Sequence, residues 1–223
     1  MTGVDASVVA RRRADLLARG TVTAELDGTV HALAPVAIPA AEGEALRACV
    51  GRERARRTIE VGLGYGISAT YICEGLLSVG AQDVRHVAID PQQTSRFSDC
   101  GLQVLDDVGL GDLLELYRDE SQIVLPCLLA EGSQFDLAFV DGDHRFDGVL
   151  LDLVFLGRLI QPSGVLFVDD YQLPSVSHAV SFFVTNLGWA VEEVSRSDED
   201  HNWVVLRTPR VPLERAWNHF VEF

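Results

Sequence analysis

Residues 58–68 read TIEVGLGYGIS, and this stretch decides the fold class of the chain. A short run rich in apolar and β-branched residues leads into three glycines, Gly62, Gly64 and Gly66. Glycine lets a backbone turn sharply and approach a ligand closely, because it has no Cβ atom. The order of strand, acid, glycine loop and helix therefore predicts a strand-to-helix turn that holds a ligand at the edge of a sheet.

Short apolar runs and helical stretches alternate along the rest of the chain, and this alternation favours an α/β fold with a parallel sheet. Two last strands, near residues 189–194 and 203–206, flank a charged turn at residues 197–200 and predict a terminal antiparallel hairpin. We predict a Rossmann-like, seven-stranded, mostly parallel sheet with helices on both faces. The other predicted strands are 58–61, 84–89, 113–117, 135–140 and 165–168, and the predicted helices between them include 67–79, 146–160 and 175–187.

The first 57 residues follow a different pattern. Helices are predicted over residues 6–19 and 40–56, with an irregular segment over residues 20–38 that is punctuated by Gly, Pro and Thr. We predict two parts on this basis. Residues 1–57 form a helical cap or lid, which is also a candidate homodimer contact, and residues 58–223 form the ligand-binding domain.

Composition excludes several classes of protein. The net charge is −15, and an acidic surface repels phosphate backbones, so nucleic acid is disfavoured as a partner. No apolar run reaches the roughly 18 residues that span a bilayer, and no signal-peptide core is visible, so we expect no membrane partner and a cytoplasmic location. The four cysteines are scattered without a C-x-x-C pair, which predicts buried thiols rather than disulfides or a zinc site.

Two acids mark the mouth of the predicted ligand site. Glu60 precedes the glycines by two residues; its charge would repel a pyrophosphate and tolerate a ligand with a cationic group. Asp90 ends the second strand of this region, 24 residues after Gly66. An acid at that point can accept hydrogen bonds from the hydroxyls of a ribose. The alternative for Asp90 is a turn residue before Pro91.

Three further carboxylates follow the fourth and fifth predicted strands of the same region. Asp141 directly follows the predicted strand 135–140, which reads FDLAFV, and Asp169 and Asp170 directly follow the predicted strand 165–168. Neighbouring strand ends would bring the three together, where they repel one another unless a proton or a cation intervenes. An all-oxygen set favours Mg²⁺ over zinc. Turn and helix-start roles for these acids remain the alternative.

The glycine loop and its flanks resemble motif I of class I S-adenosylmethionine-dependent methyltransferases, and the resemblance extends across residues 58–210. In that family the acid after the second strand holds the cofactor ribose, which implies this role for Asp90. A short polar stretch after the third strand meets the adenine, which implies Ser121 or Glu120; Ser121 is explained equally well as a helix N-cap. The cofactor-binding residues implied by the resemblance are Glu60, Gly62, Gly64, Tyr65, Gly66, Ser68, Asp90, Ser121 and Asp141.

The acids Asp141, Asp169 and Asp170 match the metal-ligand positions of the catechol O-methyltransferase-like and macrolide-sugar O-methyltransferase-like branches. The catechol enzymes place a lysine base shortly after the first metal aspartate, and this chain has no lysine. His144 lies in that neighbourhood and titrates near neutral pH, so we predict His144 as the general base. Asp141 is the second predicted catalytic residue, because it can touch both metal and cofactor. His178 is an alternative base, and a surface or capping role remains open for either histidine.

The resemblance implies an S-adenosylmethionine-dependent O-methyltransferase that acts on a hydroxyl of a small molecule. With Mg²⁺ bound, the acceptor would be a diol, a catechol or a sugar of the natural-product type. Two other functions are considered: an NAD-dependent oxidoreductase on a similar sheet, and a catalytically inactive binding or scaffold protein of the same fold. The G-x-G-x-G spacing argues against the first, and the intact Glu60, Asp90 and Asp141 argue against the second.

Overall fold

The computed structural model describes residues 6–195 and 201–223. Helices and strands alternate along these residues as the hydrophobic pattern predicts. In chain order they are α1 (Ala6–Arg19), β1 (Thr21–Thr23), β2 (Val30–Ala32), α2 (Ala40–Glu53), β3 (Arg57–Val61), α3 (Ile67–Ser78), β4 (Arg85–Ile89), α4 (Cys100–Asp107), β5 (Leu114–Tyr117), α5 (Ser121–Ala130), β6 (Phe135–Val140), α6 (Phe146–Leu159), β7 (Ile160–Val168), α7 (Pro174–Leu187), β8 (Ala190–Val194) and β9 (Val204–Arg207).

Seven strands form one sheet in the order β5-β4-β3-β6-β7-β9-β8. The pairs β3–β4, β4–β5 and β6–β7 are parallel, whereas β9 pairs antiparallel with both β7 and β8. The predicted mostly parallel α/β sheet with a terminal antiparallel hairpin is therefore confirmed. The predicted charged turn at residues 197–200 lies outside the described residues.

The chain divides into two compact units, Met1–Glu120 and Ser121–Phe223. In the first unit, α1 and α2 both pack on α3. Arg13 of α1 is buried, with its guanidinium 2.7 Å from the Glu74 carboxylate and 3.6 Å from the centre of the Tyr71 ring. An ion pair and a cation–π contact together satisfy a charge that burial would otherwise penalise. The separate N-terminal cap over residues 1–57 stays a prediction.

Two details of the N-terminal prediction were wrong. The segment predicted to be irregular contains the antiparallel pair β1–β2, whose turn includes Asp27 and Gly28. An Asp-Gly pair between β-branched runs is a hairpin signal, because glycine takes the positive φ that the turn requires; here Gly28 has φ 75°. The second helix ends at Glu53 rather than at residue 56, since Arg54 adopts the left-handed conformation that closes it.

In the second unit, α6 packs against both α5 and α7. Strands β6 and β7 are almost fully buried towards their carboxyl ends, as expected for central parallel strands. Phe139 and Phe167 pack edge to face with ring centres 5.8 Å apart, and Phe167 stacks on Trp203 just before β9. This packing fixes where β6 and β7 end, and therefore where the acids that follow them lie.

The expectation of buried thiols holds for Cys49, Cys73 and Cys100 and is wrong for Cys127, which is exposed near the middle of α5. The helix α5 buries a different face, formed by Val124, Leu125 and Leu128, so residue 127 points outward. Among the described residues, no helix is both long and apolar enough to cross a membrane.

Candidate functional site

The glycine loop between β3 and α3 depends on glycine at three positions. Gly62, Gly64 and Gly66 have φ angles of 94°, 52° and 74°, a region that other residues rarely adopt. A Cβ atom on Gly66 would lie 2.7 Å from the carbonyl oxygen of Gly101 at the start of α4. The loop therefore needs glycine for its backbone conformation and, at position 66, also for close packing.

Asp90, at the end of β4, holds this loop. Its Oδ2 accepts hydrogen bonds from the Gly64 backbone N–H at 2.9 Å and from the Gln93 side chain at 2.8 Å, and its Oδ1 accepts the Gln92 N–H at 2.8 Å. The Gln93 amide also donates to the Gly64 carbonyl at 2.6 Å. A carboxylate has roughly four acceptor positions, so three bonds from the chain leave room for one more donor.

Glu60 lies within a buried polar row rather than at an open loop mouth. Its Oε2 accepts the Ser68 hydroxyl at 2.8 Å, and its Oε1 lies 3.0 Å from Nε2 of His86. The other ring nitrogen of His86 lies 2.9 Å from the Thr58 hydroxyl, and Glu60 and His86 are both fully buried. Thr58 and Glu60 share one face of β3 because side chains alternate along a strand. The row ties β3 and β4 to the first turn of α3.

Tyr65 packs away from the backbone of the loop. Its ring makes an edge contact with Phe97, with ring centres 5.1 Å apart, and its hydroxyl lies 3.5 Å from His31 Nδ1 on β2. Burial raises the pKa of the Tyr65 phenol. This side chain links the β1–β2 hairpin to the glycine loop.

Ser121 is the first residue of α5, and its hydroxyl lies beside the carboxylate of Asp152 on α6. Asp152 is only 1% exposed. Burial raises its pKa to about 6; the Ser121 hydroxyl opposes this shift, and the charge of Asp143 adds to it. The contact of Ser121 with the adenine stays a prediction, and nothing in the sequence pattern had indicated Asp152.

Replacing Asp152 by asparagine should stabilise the fold at neutral pH. Because the pKa of this carboxyl is about 6 in the folded chain and 3.8 without burial, the folded state binds more protons between these values, and stability is lost as the pH rises through them. Asparagine removes that cost, which is up to about 3 kcal/mol near pH 8. Urea unfolding should show most of the gain at about pH 8 and little at about pH 4. An equal gain at both pH values would contradict this expectation.

The acids after β6 and β7 are gathered around one histidine. His144 Nε2 lies 3.3 Å from Asp141 Oδ1 and 3.1 Å from Asp170 Oδ2. The hydrogen bond with Asp141 raises the pKa of His144 above its usual 6.5; partial burial opposes this, and the charges of Asp170 and Asp169 add to the increase. Predicted base and predicted metal ligands thus form one cluster in the second unit.

Two groups of ligand atoms in this cluster are compact enough to hold a metal ion. The ligand atoms of Asp141, His144 and Asp170 all lie within 4.8 Å of one another, and the same holds for Asp169, Asp170 and His201. Asp170 belongs to both groups, whereas Asp141 and Asp169 belong to different ones. Asp170 also has a positive φ of 54°, which is uncommon for a residue other than glycine.

The sequence interpretation missed three polar residues of these sites. Gln93 follows Asp90 in the run Asp-Pro-Gln-Gln, so its place next to a predicted ligand was a signal that could have been used. His86 sits inside an apolar strand, where a lone polar residue indicates a buried partner. His201 carried no local signal, because it lies 31 residues after Asp170 in the chain.

Comparison with known protein families identifies the family of this chain. A family described as "Methyltransferase domain" matches residues 59–171, which is half of the chain. The chain belongs to this methyltransferase family. The matched segment contains the glycine loop, Asp90, Asp141, Asp169 and Asp170. The family resemblance inferred from the sequence is confirmed.

Two curated proteins are similar to this methyltransferase domain. Tricin synthase 2 from Oryza sativa subsp. japonica is 31% identical over 144 residues, which cover 63% of this chain and 46% of that protein. Caffeoyl-CoA O-methyltransferase from Populus kitakamiensis is 28% identical over 143 residues, which cover 60% of this chain and 57% of that protein. The chain therefore spans about half the length of the curated relatives it matches.

A solved structure supports the same architecture. The O-methyltransferase TomG from Streptomyces achromogenes, involved in tomaymycin synthesis and solved in complex with S-adenosylmethionine, has a TM-score of 0.66 and 18% sequence identity. The match covers 91% of this chain and 89% of TomG. At this level of identity the likeness shows that the methyltransferase fold is shared.

Proposed function

We propose that the chain is an S-adenosylmethionine-dependent O-methyltransferase that acts on a hydroxyl group of a small molecule. The observation that carries the proposal is the glycine loop after β3, held by Asp90 and Gln93, within the segment that matches the methyltransferase family. The names of the relatives support it, since one is a caffeoyl-CoA O-methyltransferase and TomG was solved with S-adenosylmethionine.

The residues of the first unit fit the cofactor. When bound, S-adenosylmethionine supplies a methyl group activated by a positively charged sulfur. The three glycines allow close approach of a ligand to the backbone, and the remaining acceptor position of Asp90 suits one ribose hydroxyl. Glu60 serves the site by holding Ser68 and His86, because its two oxygens face these side chains.

The acidic cluster of the second unit fits a divalent cation. Carboxylates supply the negative charge and oxygen donors that such ions prefer, and Asp170 is common to both candidate ligand groups. When bound, the cation would polarise the acceptor hydroxyl and lower its pKa. The acceptor class this implies is a diol, a catechol or a sugar, in which two adjacent oxygens can reach one ion.

His144 is the proposed proton acceptor. The chain has no lysine, and a guanidinium is a poor proton acceptor, so His144 is proposed as the residue beside Asp141 that takes the proton. Its contacts with Asp141 and Asp170 orient the imidazole. When bound, S-adenosylmethionine would supply the methyl group to the acceptor oxygen and leave as S-adenosylhomocysteine, and His144 would accept the hydroxyl proton. Residues 1–57 are proposed to cap the pocket or to form a homodimer contact.

The unmodified protein should bind S-adenosylhomocysteine and not NAD in isothermal titration calorimetry. Glu60 lies just before the glycine loop, and the loop has the spacing G-x-G-x-G instead of the dinucleotide-binding spacing G-x-G-x-x-G. Both features disfavour binding of a pyrophosphate. Tight NAD binding without S-adenosylhomocysteine binding would favour the oxidoreductase instead. Binding of S-adenosylhomocysteine without methyl transfer to any diol, catechol or sugar acceptor would favour the inactive binding protein.

A further inference from the structure

A histidine outside every sequence motif lies beside the proposed metal ligands. The imidazole of His201 and the carboxylates of Asp169 and Asp170 offer three ligand atoms within 4.8 Å of one another. His201 is half-buried just before β9, whereas Asp169 is 4% exposed at the end of β7. The antiparallel pairing of β7 and β9 brings these distant parts of the chain together.

Hydrogen bonds of Asn202, the residue after His201, hold this arrangement. The Tyr171 N–H donates to the Asn202 carbonyl at 2.7 Å, and the Asn202 N–H donates to the Gln172 side chain at 2.8 Å. The Gln172 amide in turn donates to Asp170 Oδ1 at 2.6 Å. The residue next to His201 is therefore bonded to the two residues that follow Asp170, and this sets the position of His201 beside the carboxylates.

The chemistry of the group differs from the all-oxygen set that favoured Mg²⁺. Mg²⁺ prefers oxygen ligands and retains much of its water, whereas an imidazole nitrogen suits ions such as Fe²⁺, Co²⁺, Ni²⁺ and Zn²⁺. Two carboxylates with one neutral imidazole balance the charge of a dication. A mixed nitrogen and oxygen set of this kind binds first-row transition metals more tightly than Mg²⁺.

We propose that His201 ligates the divalent cation together with Asp169 and Asp170, and that its nitrogen selects a first-row transition-metal ion over Mg²⁺. The proposal rests on the metal assistance proposed above and replaces Mg²⁺ as the preferred ion. His144, which is more exposed and contacts Asp141, is not one of the three ligands of this group.

The test measures metal binding directly on protein stripped with EDTA. Calorimetric titration should give a dissociation constant for Co²⁺ at least about 100-fold below that for Mg²⁺. His201→Gln should weaken Co²⁺ binding by about 100-fold. Removing a residue that only orients a metal ligand already lowers metal affinity by about 10- to 100-fold, and His201 is proposed to be a ligand itself. The same variant should leave Mg²⁺ binding within about threefold, because the glutamine oxygen is an acceptable Mg²⁺ ligand. His219→Gln, at an exposed site near the C-terminus, should change neither affinity.

A second measurement identifies the type of ligand atom on the bound ion. Pulsed electron paramagnetic resonance of Mn²⁺ bound to the unmodified protein should show coupling to an imidazole nitrogen, and His201→Gln should remove it. Binding of S-adenosylhomocysteine by His201→Gln shows that the variant is folded.

Equal affinities for Co²⁺ and Mg²⁺, or Co²⁺ binding that His201→Gln leaves unchanged, would overturn the proposal. If Mg²⁺ then supports methyl transfer, the proposed function stands without the role of His201. If no divalent ion binds, the ligand assignment and the metal assistance both fail, and binding of S-adenosylhomocysteine still tests the cofactor site.

Discussion

Gly66→Ala should both destabilise the protein and remove cofactor binding. Alanine at φ 74° is strained, which costs about 1–3 kcal/mol, and its Cβ would lie 2.7 Å from the Gly101 carbonyl, which adds about 1–3 kcal/mol of overpacking. The backbone fixes the position of the new Cβ atom, and the atom it meets is a backbone carbonyl oxygen. The loop therefore has to shift to relieve the contact. Urea unfolding should therefore show a loss of about 2–6 kcal/mol, and calorimetry should show little or no S-adenosylhomocysteine binding.

Gly80→Ala is the matched control for this experiment. Gly80 has nearly the same φ, 71°, and no atom lies within 4 Å of the Cβ it would carry. This variant should lose only the part of the unfolding free energy that arises from backbone strain, and it should bind S-adenosylhomocysteine normally. Equal destabilisation of the two variants, or normal cofactor binding by Gly66→Ala, would contradict the role assigned to close packing at the loop.

If the proposed cation assists the reaction, Asp170→Asn should reduce methyl transfer by at least about 100-fold, because such an ion would contribute several kcal/mol of charge stabilisation. Asp170 belongs to both candidate metal groups, so its charge is needed whichever group holds the ion. Asparagine tolerates the positive φ of 54° at this position, and the backbone should therefore be undisturbed. The measurement is methyl transfer to a diol acceptor, with S-adenosylhomocysteine affinity determined in parallel.

The cofactor affinity of Asp170→Asn should change by less than about threefold, because the glycine loop and Asp90 make no use of this carboxylate. Asp143→Asn is the matched control: this exposed acid follows the neighbouring strand β6 and belongs to neither metal group. Its Oδ1 accepts the Arg145 N–H at 3.1 Å, a bond that an asparagine oxygen can keep. Full activity of Asp170→Asn, or of the unmodified protein in EDTA, would exclude the metal assistance.

Local patterns were sufficient for the sheet and for the backbone of the glycine loop. Strand–helix alternation and the G-x-G-x-G spacing depend on residues that are close in sequence, and the structure confirms the mostly parallel sheet with its hairpin. The β1–β2 hairpin was missed although its Asp-Gly turn is a local signal. The placement of the cap over residues 1–57 and the individual cofactor contacts stay predictions.

Roles that depend on pairing between distant segments were not visible in the sequence. The register of β3 and β4 sets Thr58 opposite His86, and the same imidazole lies 3.0 Å from Glu60, whose predicted cofactor contact stays a prediction. Asp152 carried no signal because its environment is formed by another helix. The sequence does not distinguish an aspartate in water from Asp152, which is 1% exposed. Burial in the folded chain is what raises the pKa of Asp152.

The sequence by itself determined the α/β sheet, the methyltransferase resemblance and the acids at the ends of β4, β6 and β7, because each follows from periodicity or from a short motif. Only the tertiary structure decided which side chains meet. It placed His144 between Asp141 and Asp170, and it brought His201 to Asp169 and Asp170 through the antiparallel pairing of β7 with β9. The physical reason is that contacts across a sheet are set by register and packing, which residues far apart in the chain establish only when it folds.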